Sequence, residues 1–172
     1  MVEVTTMKIN WYKKNFGVGP FGAIVSITIL SILLNGTNYD LPRYKILNFY
    51  PLIINLISLL LVIIGVGLHI WSFISLKNWW KKNKLCTKGA FKYFRHPMYS
   101  AWVIFIALGI TIYINSWIIF FWYLFLLFLW NKLVLYEEKM MISEFGDFYL
   151  SYLKKTNRFF PKIFDLFNNK TK

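Results

Sequence analysis

The sequence predicts an all-α, polytopic membrane protein with about four transmembrane helices, the last two of which form a helical hairpin. Three observations lead to this fold class. The 172 residues are 58% hydrophobic and 21% aromatic but only 16% charged. The apolar residues are concentrated in long uncharged runs, and 20 Lys and Arg outnumber 7 Asp and Glu. This composition excludes a disordered chain and an ordinary soluble domain, and positive charge beside long apolar runs indicates a membrane.

The first two predicted spans are Gly17–Asn35 and Phe49–Leu76. The first has nineteen residues without a charge, which at about 1.5 Å per residue just crosses a hydrocarbon core of about 30 Å. We expect it to be retained, because the lysines before it are typical of a signal peptide but no small-residue cleavage motif follows. The second is long enough to cross with tilt, and its Pro51 stands where a helix start tolerates proline.

The third and fourth predicted spans, residues 97–114 and 116–136, are separated only by a break at Asn115 and Ser116. So short a connection predicts an antiparallel helical hairpin. Eighteen residues make the third helix only about 27 Å long, so its start should lie close to the bilayer interface.

The rest of the chain is predicted to belong to the same unit. A cytosolic segment is expected over residues 137–167 and a disordered tail over residues 168–172. No internal repeat or low-complexity tract divides the sequence. Residues 1–172 are therefore predicted to form a single integral membrane domain.

The positive charges predict the orientation, because Lys and Arg near span ends stay on the cytoplasmic side. The amino terminus carries three of the 20, the loop Lys77–His96 seven, and the chain from Lys132 onward eight. With four spans, these 18 charges lie on one side of the membrane. The loop between the first and second spans, on the other side, holds two, and the hairpin turn holds none. Both termini are therefore predicted to be cytoplasmic, and the charges to meet anionic lipid rather than nucleic acid.

Two ionisable side chains fall within the predicted spans. His69 lies in the second, and Lys132 lies about one turn from the cytoplasmic end of the fourth, where its side chain can snorkel to the headgroups. Ionisable groups in hydrocarbon are costly and often functional. For His69 we expect a hydrogen bond to a neighbouring helix, with a catalytic role as the alternative. A transporter or channel would need more such groups.

A first polar cluster, residues 88–99, precedes and opens the third span. The motif RHPMY at residues 95–99 places a proline at a helix start, where unpaired backbone N–H groups suit anionic or polar ligand atoms. The alternative is an interfacial anchor, in which Arg95 binds lipid phosphate and Tyr99 belongs to the aromatic belt. These residues alone leave both interpretations open.

A second polar cluster, Glu137 and Glu138, lies where the fourth span ends. Adjacent carboxylates are unusual in a chain with only seven acidic residues. On a helix they point about 100° apart, so we expect one to reach a ligand and the other to pair with a nearby Lys or Arg. The alternative is a solvated helix end compensated by Lys139.

The remaining motifs indicate structure. The GVG motif at residues 65–67 is predicted to let a neighbouring helix approach, since no strand precedes it to form a phosphate loop. The GVGP motif at residues 17–20 is predicted to be a helix start. Cys86 is the one cysteine, and no Cys and His residues have the spacing of a metal site, so no metal is expected.

Together the two clusters resemble the isoprenylcysteine carboxyl methyltransferase family, within a wider group that includes phospholipid N-methyltransferases. The resemblance implies a helical membrane enzyme that binds S-adenosylmethionine in a cytosolic pocket and methylates a lipophilic acceptor from the bilayer. The matching residues are GAF at 89–91, RHPMY at 95–99, Glu137, Glu138, Phe145, Gly146, Tyr149, Tyr152, Arg158 and Pro161.

The resemblance also implies the site residues. Arg95, His96 and Glu137 are implied to position the reactants. Where the prenylcysteine enzymes have an Arg that contacts substrate, this chain has Leu133, so a prenylcysteine carboxylate is only one of the acceptors considered. The implied cofactor-binding residues are Lys84, Leu85, Cys86, Phe91, His96, Pro97, Met98, Tyr99, Glu137 and Glu138, and the implied substrate residues are Lys132 and Arg158.

The chemistry of methyl transfer is compatible with so few polar residues. A sulfonium donor is already activated, so the protein supplies mainly positioning and a water-poor site. A carboxylate acceptor needs no general base, whereas an amine does, and His96 is the nearest candidate. Two alternatives are an NADPH-dependent sterol-type membrane reductase and a non-catalytic membrane interaction protein. The expected location is the plasma membrane in a prokaryote or the endoplasmic reticulum in a eukaryote.

Overall fold

The computed structural model describes residues 17–36, 50–80 and 84–161. Within these ranges, four helices are long and apolar enough to cross a membrane, which confirms the predicted all-α, four-span fold. The expectations for the amino-terminal lysines, the first loop and the disordered tail lie outside the described residues. The helices are α1 (Gly19–Gly36), α2 (Pro51–Trp80), α3 (Pro97–Ile114) and α4 (Trp117–Lys155), with a short 3-10 helix, Gly89–Lys92, before α3.

The predicted spans match these helices closely except at the end of the fourth. α4 has 39 residues and continues past the two glutamates to Lys155, with non-helical backbone angles at Gly146 (φ 53°, ψ −133°). Such a helix is about 58 Å long, roughly twice the thickness of the hydrocarbon core. Only its apolar first half, up to Tyr136, fits within lipid, and the polar half that begins at Glu137 extends beyond it.

α2 and α3 pack closely because glycines remove side chains from their interface. A Cβ atom on Gly65 would lie 2.6 Å from Ile106 Cγ1, and one on Gly109 would lie 3.0 Å from the Ser58 carbonyl oxygen. Small residues permit such an approach where helices associate by packing in lipid. In the predicted GVG motif only Gly65 has this role, since no atom of the described residues lies within 4 Å of a Cβ on Gly67.

α1 is held against α4 by two tryptophans and a buried serine. The Trp130 indole N–H donates to the Ser26 hydroxyl, and the Trp122 indole N–H donates to the Ser26 carbonyl oxygen, both at 3.2 Å. A Cβ atom on Gly22 would lie 2.9 Å from the Trp130 ring and 2.9 Å from Leu133 Cδ1. Only glycine therefore allows α1 to sit this close to α4.

The hairpin between α3 and α4 is confirmed. Asn115 takes the left-handed conformation (φ 52°) that ends α3, and its N–H donates to the Thr111 carbonyl oxygen at 3.0 Å. Ser116 is extended, and α4 begins at the next residue. The antiparallel pairing brings the polar half of α4 back beside the start of α3. The core between the two helices contains Val103, Ala107, Ile119, Trp122, Tyr123, Leu126 and Trp130.

Candidate functional site

The start of α3 is built as the sequence predicts. His96 precedes the helix and Pro97 takes its first position, where the missing N–H costs nothing. The Ser100 N–H donates to the His96 carbonyl oxygen at 2.9 Å. Over Ala101–Ala107 the helix then widens to π-helical geometry, which is frequent near functional sites. His96 is buried, and its ring stacks on that of Tyr99 with the centroids 5.5 Å apart.

Glu137 is a buried carboxylate on α4 that is joined to α3 and to the turn before α1. Its Oε2 accepts hydrogen bonds from the Tyr99 hydroxyl at 2.8 Å and from the Val18 backbone N–H at 3.2 Å. Its Oε1 lies 3.6 Å from His96 Nδ1, which is close enough for charge attraction but too long for a good hydrogen bond. Oε2 is therefore committed to protein donors, while Oε1 keeps the capacity to accept a hydrogen bond from a ligand.

The turn before α1 forms part of the same arrangement. Gly17 has a φ of +58°, and a Cβ atom there would lie 2.7 Å from Glu137 Oε2. A Cβ on Gly19 would lie 3.1 Å from the Tyr99 ring. The glycines let the backbone come close enough for Val18 to donate to the carboxylate. The GVGP motif therefore starts a helix, as predicted, and also lies directly against Glu137.

Glu138 points away from Glu137 and binds two arginines, as expected for one of the pair. Its Oε1 accepts from Arg95 Nε at 2.9 Å, and its Oε2 accepts from Arg158 Nη2 at 2.6 Å. His96 Nε2 lies 3.4 Å from Oε1. Burial acts to raise the pKa of Glu138, but the contacts from His96 and Arg158 and the charge of Arg95 lower it to about 2. Glu138 is therefore ionised at neutral pH.

The same arginine holds the chain that follows α4. The Arg95 backbone N–H donates to the Asn157 carbonyl oxygen at 2.9 Å, and the His96 N–H donates to that of Arg158 at 3.3 Å. The Arg95 guanidinium also donates through Nη1 to the carbonyl oxygens of Leu153 and Thr156. Most of its N–H groups are thus used within the protein, which favours a structural role for this side chain.

A cavity of about 500 Å³ opens at this end of the bundle. Its wall combines Glu137 and the start of α3 with apolar and aromatic side chains from the other helices. Of the residues predicted from the sequence, those that line it are Lys84, Leu85, Cys86, Phe91, Arg95, His96, Pro97, Met98, Tyr99 and Glu137.

Three predicted site residues lie outside this wall. Glu138 is turned toward its two arginines because it is one helical position from Glu137. Arg158 is held by Glu138 and by the Asn131 amide oxygen, 2.6 Å from its Nη1. Lys132 is exposed, with its Nζ 5.5 Å from the centre of the Phe128 ring. None of these three side chains lines the cavity, and their contact with cofactor or substrate stays a prediction.

Several wall residues were not identified from the sequence. Met140, Met141 and Glu144 follow Glu137 at three, four and seven positions, a helical periodicity that could have indicated them. No local signal distinguishes the others, because they reach the cavity only through helix packing. These are Gly17, Gly19, Pro20, Ala23, Phe73, Leu76, Trp102 and Trp130. His69, for which the sequence leaves a catalytic role open, and the motif residues Phe145, Tyr149 and Tyr152 also line the cavity.

Cys86 is a buried free thiol in the cavity wall. Its Sγ lies 3.6 Å from the Ser75 carbonyl oxygen and 3.8 Å from that of Lys88. Burial raises the pKa of this thiol, and the contact with the Lys88 carbonyl only partly opposes the increase. Cys86 is therefore protonated at neutral pH and is a poor nucleophile.

The prediction that His69 forms a hydrogen bond to a neighbouring helix is wrong among the residues that the structure describes. The side chain is exposed and faces the cavity, and no hydrogen bond joins it to another described residue. His69 lies one turn beyond Gly65 on α2, where the same side of the helix continues into the cavity wall with Phe73 and Leu76.

The fold and the cavity define a multi-span helical membrane protein with a small-molecule pocket at one end of its bundle. The family model for phospholipid methyltransferases matches residues 53–148, which is more than half of the chain and includes both polar clusters. The chain belongs to the phospholipid methyltransferase family, and the resemblance found from the sequence is confirmed at this level. It is a membrane methyltransferase of the kind that acts on lipid-type acceptors. No curated protein and no solved structure matches the chain.

Proposed function

We propose that this protein transfers the methyl group of S-adenosylmethionine to a lipophilic acceptor at the cytosolic face of the membrane. The observation that supports this most directly is the buried Glu137 carboxylate, held 2.8 Å from the Tyr99 hydroxyl in the wall of a largely apolar cavity. The acceptor can be a prenylcysteine-type carboxylate or another small apolar or lipid molecule. The cytosolic location follows from the 18 positive charges that four spans place on one side.

The residues of the cavity suit the chemical groups of this donor. Glu137 Oε1 can accept hydrogen bonds from an amino group or ribose hydroxyls, and His96 can bind a carboxylate. Phe91, which is only partly buried, offers an aromatic face for an adenine ring. Arg95 acts through Glu138, since its guanidinium is occupied by that carboxylate and by backbone carbonyls. The bound donor supplies an electrophilic methyl group on a sulfonium.

The protein contributes position and exclusion of water. The backbone N–H of Val18 and the hydroxyl of Tyr99 fix the Glu137 carboxylate before a ligand arrives. Glu138 and the stacked Tyr99 ring fix the imidazole of His96. A preorganised, water-poor site of this kind lowers the barrier to a displacement reaction by holding the reactants in line.

One binding experiment tests this proposal against its two alternatives. Purified protein in detergent is titrated with S-adenosylmethionine and, separately, with NADPH, using wild type, His96→Ala and Glu137→Gln. Saturable binding of S-adenosylmethionine that both substitutions weaken is the expected result. Binding of NADPH alone would favour the reductase, and a folded protein that binds neither ligand would favour a non-catalytic role.

A matched control separates loss of the site from loss of the fold. Asp147→Asn removes one carboxylate from the same helix at an exposed position outside the cavity wall. Its affinity for S-adenosylmethionine should equal that of wild type. If it weakens binding as much as Glu137→Gln does, Glu137 has no specific role.

A further inference from the structure

The outer side of α4 carries a continuous stripe of exposed side chains. Its members recur every three or four residues, which places them on one face of the helix. They are Phe121, Leu124, Phe125, Phe128, Asn131, Lys132, Leu135 and Tyr136. None of them lines the cavity. The stripe therefore faces the surrounding lipid, and a molecule bound on it is separate from the contents of the cavity.

The chemistry of the stripe changes along α4. The rings of Phe121, Phe125 and Phe128 make its first part apolar, and Asn131 and Lys132 then bring an amide and an ammonium to the same face. Lys132 lies about 22 Å from the start of α4, which is short of the far edge of a hydrocarbon core about 30 Å thick. A charge that faces outward at this depth is costly unless a polar group meets it.

Arg158 adds a second cation at this level of α4. It follows the helix in sequence, but its Nη1 donates to the Asn131 amide oxygen at 2.6 Å. Its Nε and Nη2 donate to the Glu138 carboxylate at 3.2 and 2.6 Å. These contacts with described residues use three of the five N–H groups of a guanidinium, and 24% of the side chain stays exposed. Arg158 is therefore fixed in position with donors to spare.

The positive charge of this patch exceeds the negative charge beside it. Arg95 and Arg158 share the single carboxylate of Glu138, so these three groups together keep one positive charge. Lys132 adds another, and no ion pair joins it to a residue of the described ranges. Residues 50–136 contain no Asp or Glu. Two cations at the border of the membrane, without an acidic neighbour to neutralise them, are complementary to an anionic headgroup.

We infer that this face of α4 binds a phospholipid with an anionic headgroup, held as a resident lipid outside the cavity and not as the methyl acceptor. Arg158 binds the phosphate oxygens through its open N–H groups, since a guanidinium matches phosphate geometry. The Asn131 amide and the Lys132 ammonium donate to the same headgroup. An acyl chain lies along the rings of Phe128 and Phe125.

The geometry favours a lipid over a second copy of the chain. A contact between identical faces of two copies is related by a two-fold axis, so it would bring the Lys132 and Arg158 cations of both copies together. Like charges repel strongly where water is scarce. A lipid phosphate instead supplies the missing negative charge. Because Glu138 and Asn131 already hold Arg158, little ordering is needed when the headgroup binds.

Native mass spectrometry tests the inference, because it counts the lipids that stay on a protein released from detergent. Purified full-length protein is incubated with equal amounts of dioleoylphosphatidylglycerol and dioleoylglycerol, which share their acyl chains and differ in the phosphate headgroup. One phosphatidylglycerol per chain should be retained, with a preference of about tenfold over dioleoylglycerol. Equal retention of both, or a chain free of lipid in either monomeric or dimeric form, would overturn the inference.

Substitutions on the stripe locate the bound lipid. Lys132→Gln should lower the preference about fivefold, the factor expected for one cation near a membrane surface. Asn131→Leu should also lower it, because it removes the amide and releases Arg158. Arg158 itself is left in place, since it also holds Glu138 and its loss would disturb the fold. The control Lys92→Gln removes an exposed lysine outside both the stripe and the cavity wall, and it should keep the wild-type preference.

The control also excludes an unspecific effect of charge. If Lys92→Gln and Lys132→Gln lower the preference equally, the lysines attract anionic lipid in general and α4 has no site. Inorganic phosphate in large excess should leave phosphatidylglycerol bound. Displacement by phosphate would show that the patch binds free anions and needs no lipid, which also contradicts the inference.

A variant of the cavity separates this lipid from the proposed reaction. Glu137→Gln should retain phosphatidylglycerol as wild type does, although its affinity for S-adenosylmethionine falls. Loss of phosphatidylglycerol from Glu137→Gln, or transfer of labelled methyl groups to this lipid, would place it in the cavity and refute the inference. The inference does not depend on the proposed function, because a protein that fails to bind S-adenosylmethionine should still retain phosphatidylglycerol.

Discussion

The hydroxyl of Tyr99 and the carboxylate of Glu137 lie 38 residues apart in sequence and 2.8 Å apart in the structure. They belong to the two helices of the hairpin, and the same carboxylate oxygen also accepts from the backbone N–H of Val18 at 3.2 Å. This junction fixes the acidic group of the cavity from both sides.

Removal of the hydroxyl should weaken the binding of S-adenosylmethionine. Tyr99→Phe keeps the ring stacked on His96 but leaves Glu137 with one donor fewer. We expect affinity to fall about tenfold, since a hydrogen bond to a charged group is worth roughly 1.5 kcal/mol or more. Calorimetric titration measures this, and Tyr113→Phe, at an exposed tyrosine outside the cavity wall, is the control. If Tyr99→Phe and Tyr113→Phe bind S-adenosylmethionine equally well, the hydrogen bond between Tyr99 and Glu137 does not contribute to binding.

A methyl group at Gly17 should disturb the same carboxylate. The Cβ atom of Gly17→Ala would lie 2.7 Å from Glu137 Oε2, and the residue would keep a φ of +58° that alanine disfavours. Either the turn before α1 or the carboxylate must move, so binding of S-adenosylmethionine should weaken severalfold. Gly36→Ala, at the other end of α1, meets no described atom within 4 Å and should bind normally. Unchanged affinity in Gly17→Ala would show that this turn is not part of the site.

Two glycines in α2 should respond differently to the same substitution. Gly65→Ala places a Cβ atom 2.6 Å from Ile106 Cγ1 and should push α2 away from α3, which lowers stability by about 1–3 kcal/mol. Gly67→Ala meets no described atom within 4 Å and should be neutral or slightly stabilising, because alanine favours helix. Thermal unfolding in detergent compares the two. Similar melting temperatures would contradict the close packing at Gly65.

Loss of the Glu138 charge should destabilise the site. Glu138→Gln leaves Arg95 and Arg158 without their shared carboxylate in a buried position, and removing one partner of a buried pair costs roughly 3–5 kcal/mol. The exposed substitution Asp147→Asn is the control and should melt like wild type.

A comparison of wild type with Glu138→Gln also predicts how stability depends on pH. The folded-state pKa of Glu138 is about 2, below its ordinary value of 4.5. The stability that this carboxylate contributes is therefore complete above about pH 4.5 and is lost as the pH falls toward 2. The difference in melting temperature between wild type and Glu138→Gln should shrink below pH 4.5. A constant difference down to pH 3 would be inconsistent with a carboxylate that titrates this way.

The positive charges predict that both termini are cytoplasmic. Reporter tags at the amino and carboxyl termini should be accessible from the same side, because an even number of spans joins them. A tag at the hairpin turn near Asn115 should be accessible from the opposite side. Termini on different sides would refute the orientation and, with it, the cytosolic placement of the cavity.

The sequence by itself determined the spans, the hairpin and the two polar clusters. These features depend on neighbouring residues: uncharged runs of sufficient length, a break at Asn115, a proline that starts α3, and two adjacent glutamates. Hydrophobicity and backbone preferences act over a few turns of chain, so their pattern is readable without the fold.

The tertiary structure alone decided which face each polar side chain presents. Successive helical residues point about 100° apart, so the orientation of α4 about its own axis decides which glutamate faces the cavity. Glu137 lies in the cavity wall, and Glu138 lies among its arginines. The approach of Gly17 to Glu137 and the placement of His69 depend on how distant helices pack, and no local pattern encodes that register. The sequence thus determines where along the chain the polar site residues lie. The packing of the helices determines which of them line the cavity and which pair with other side chains.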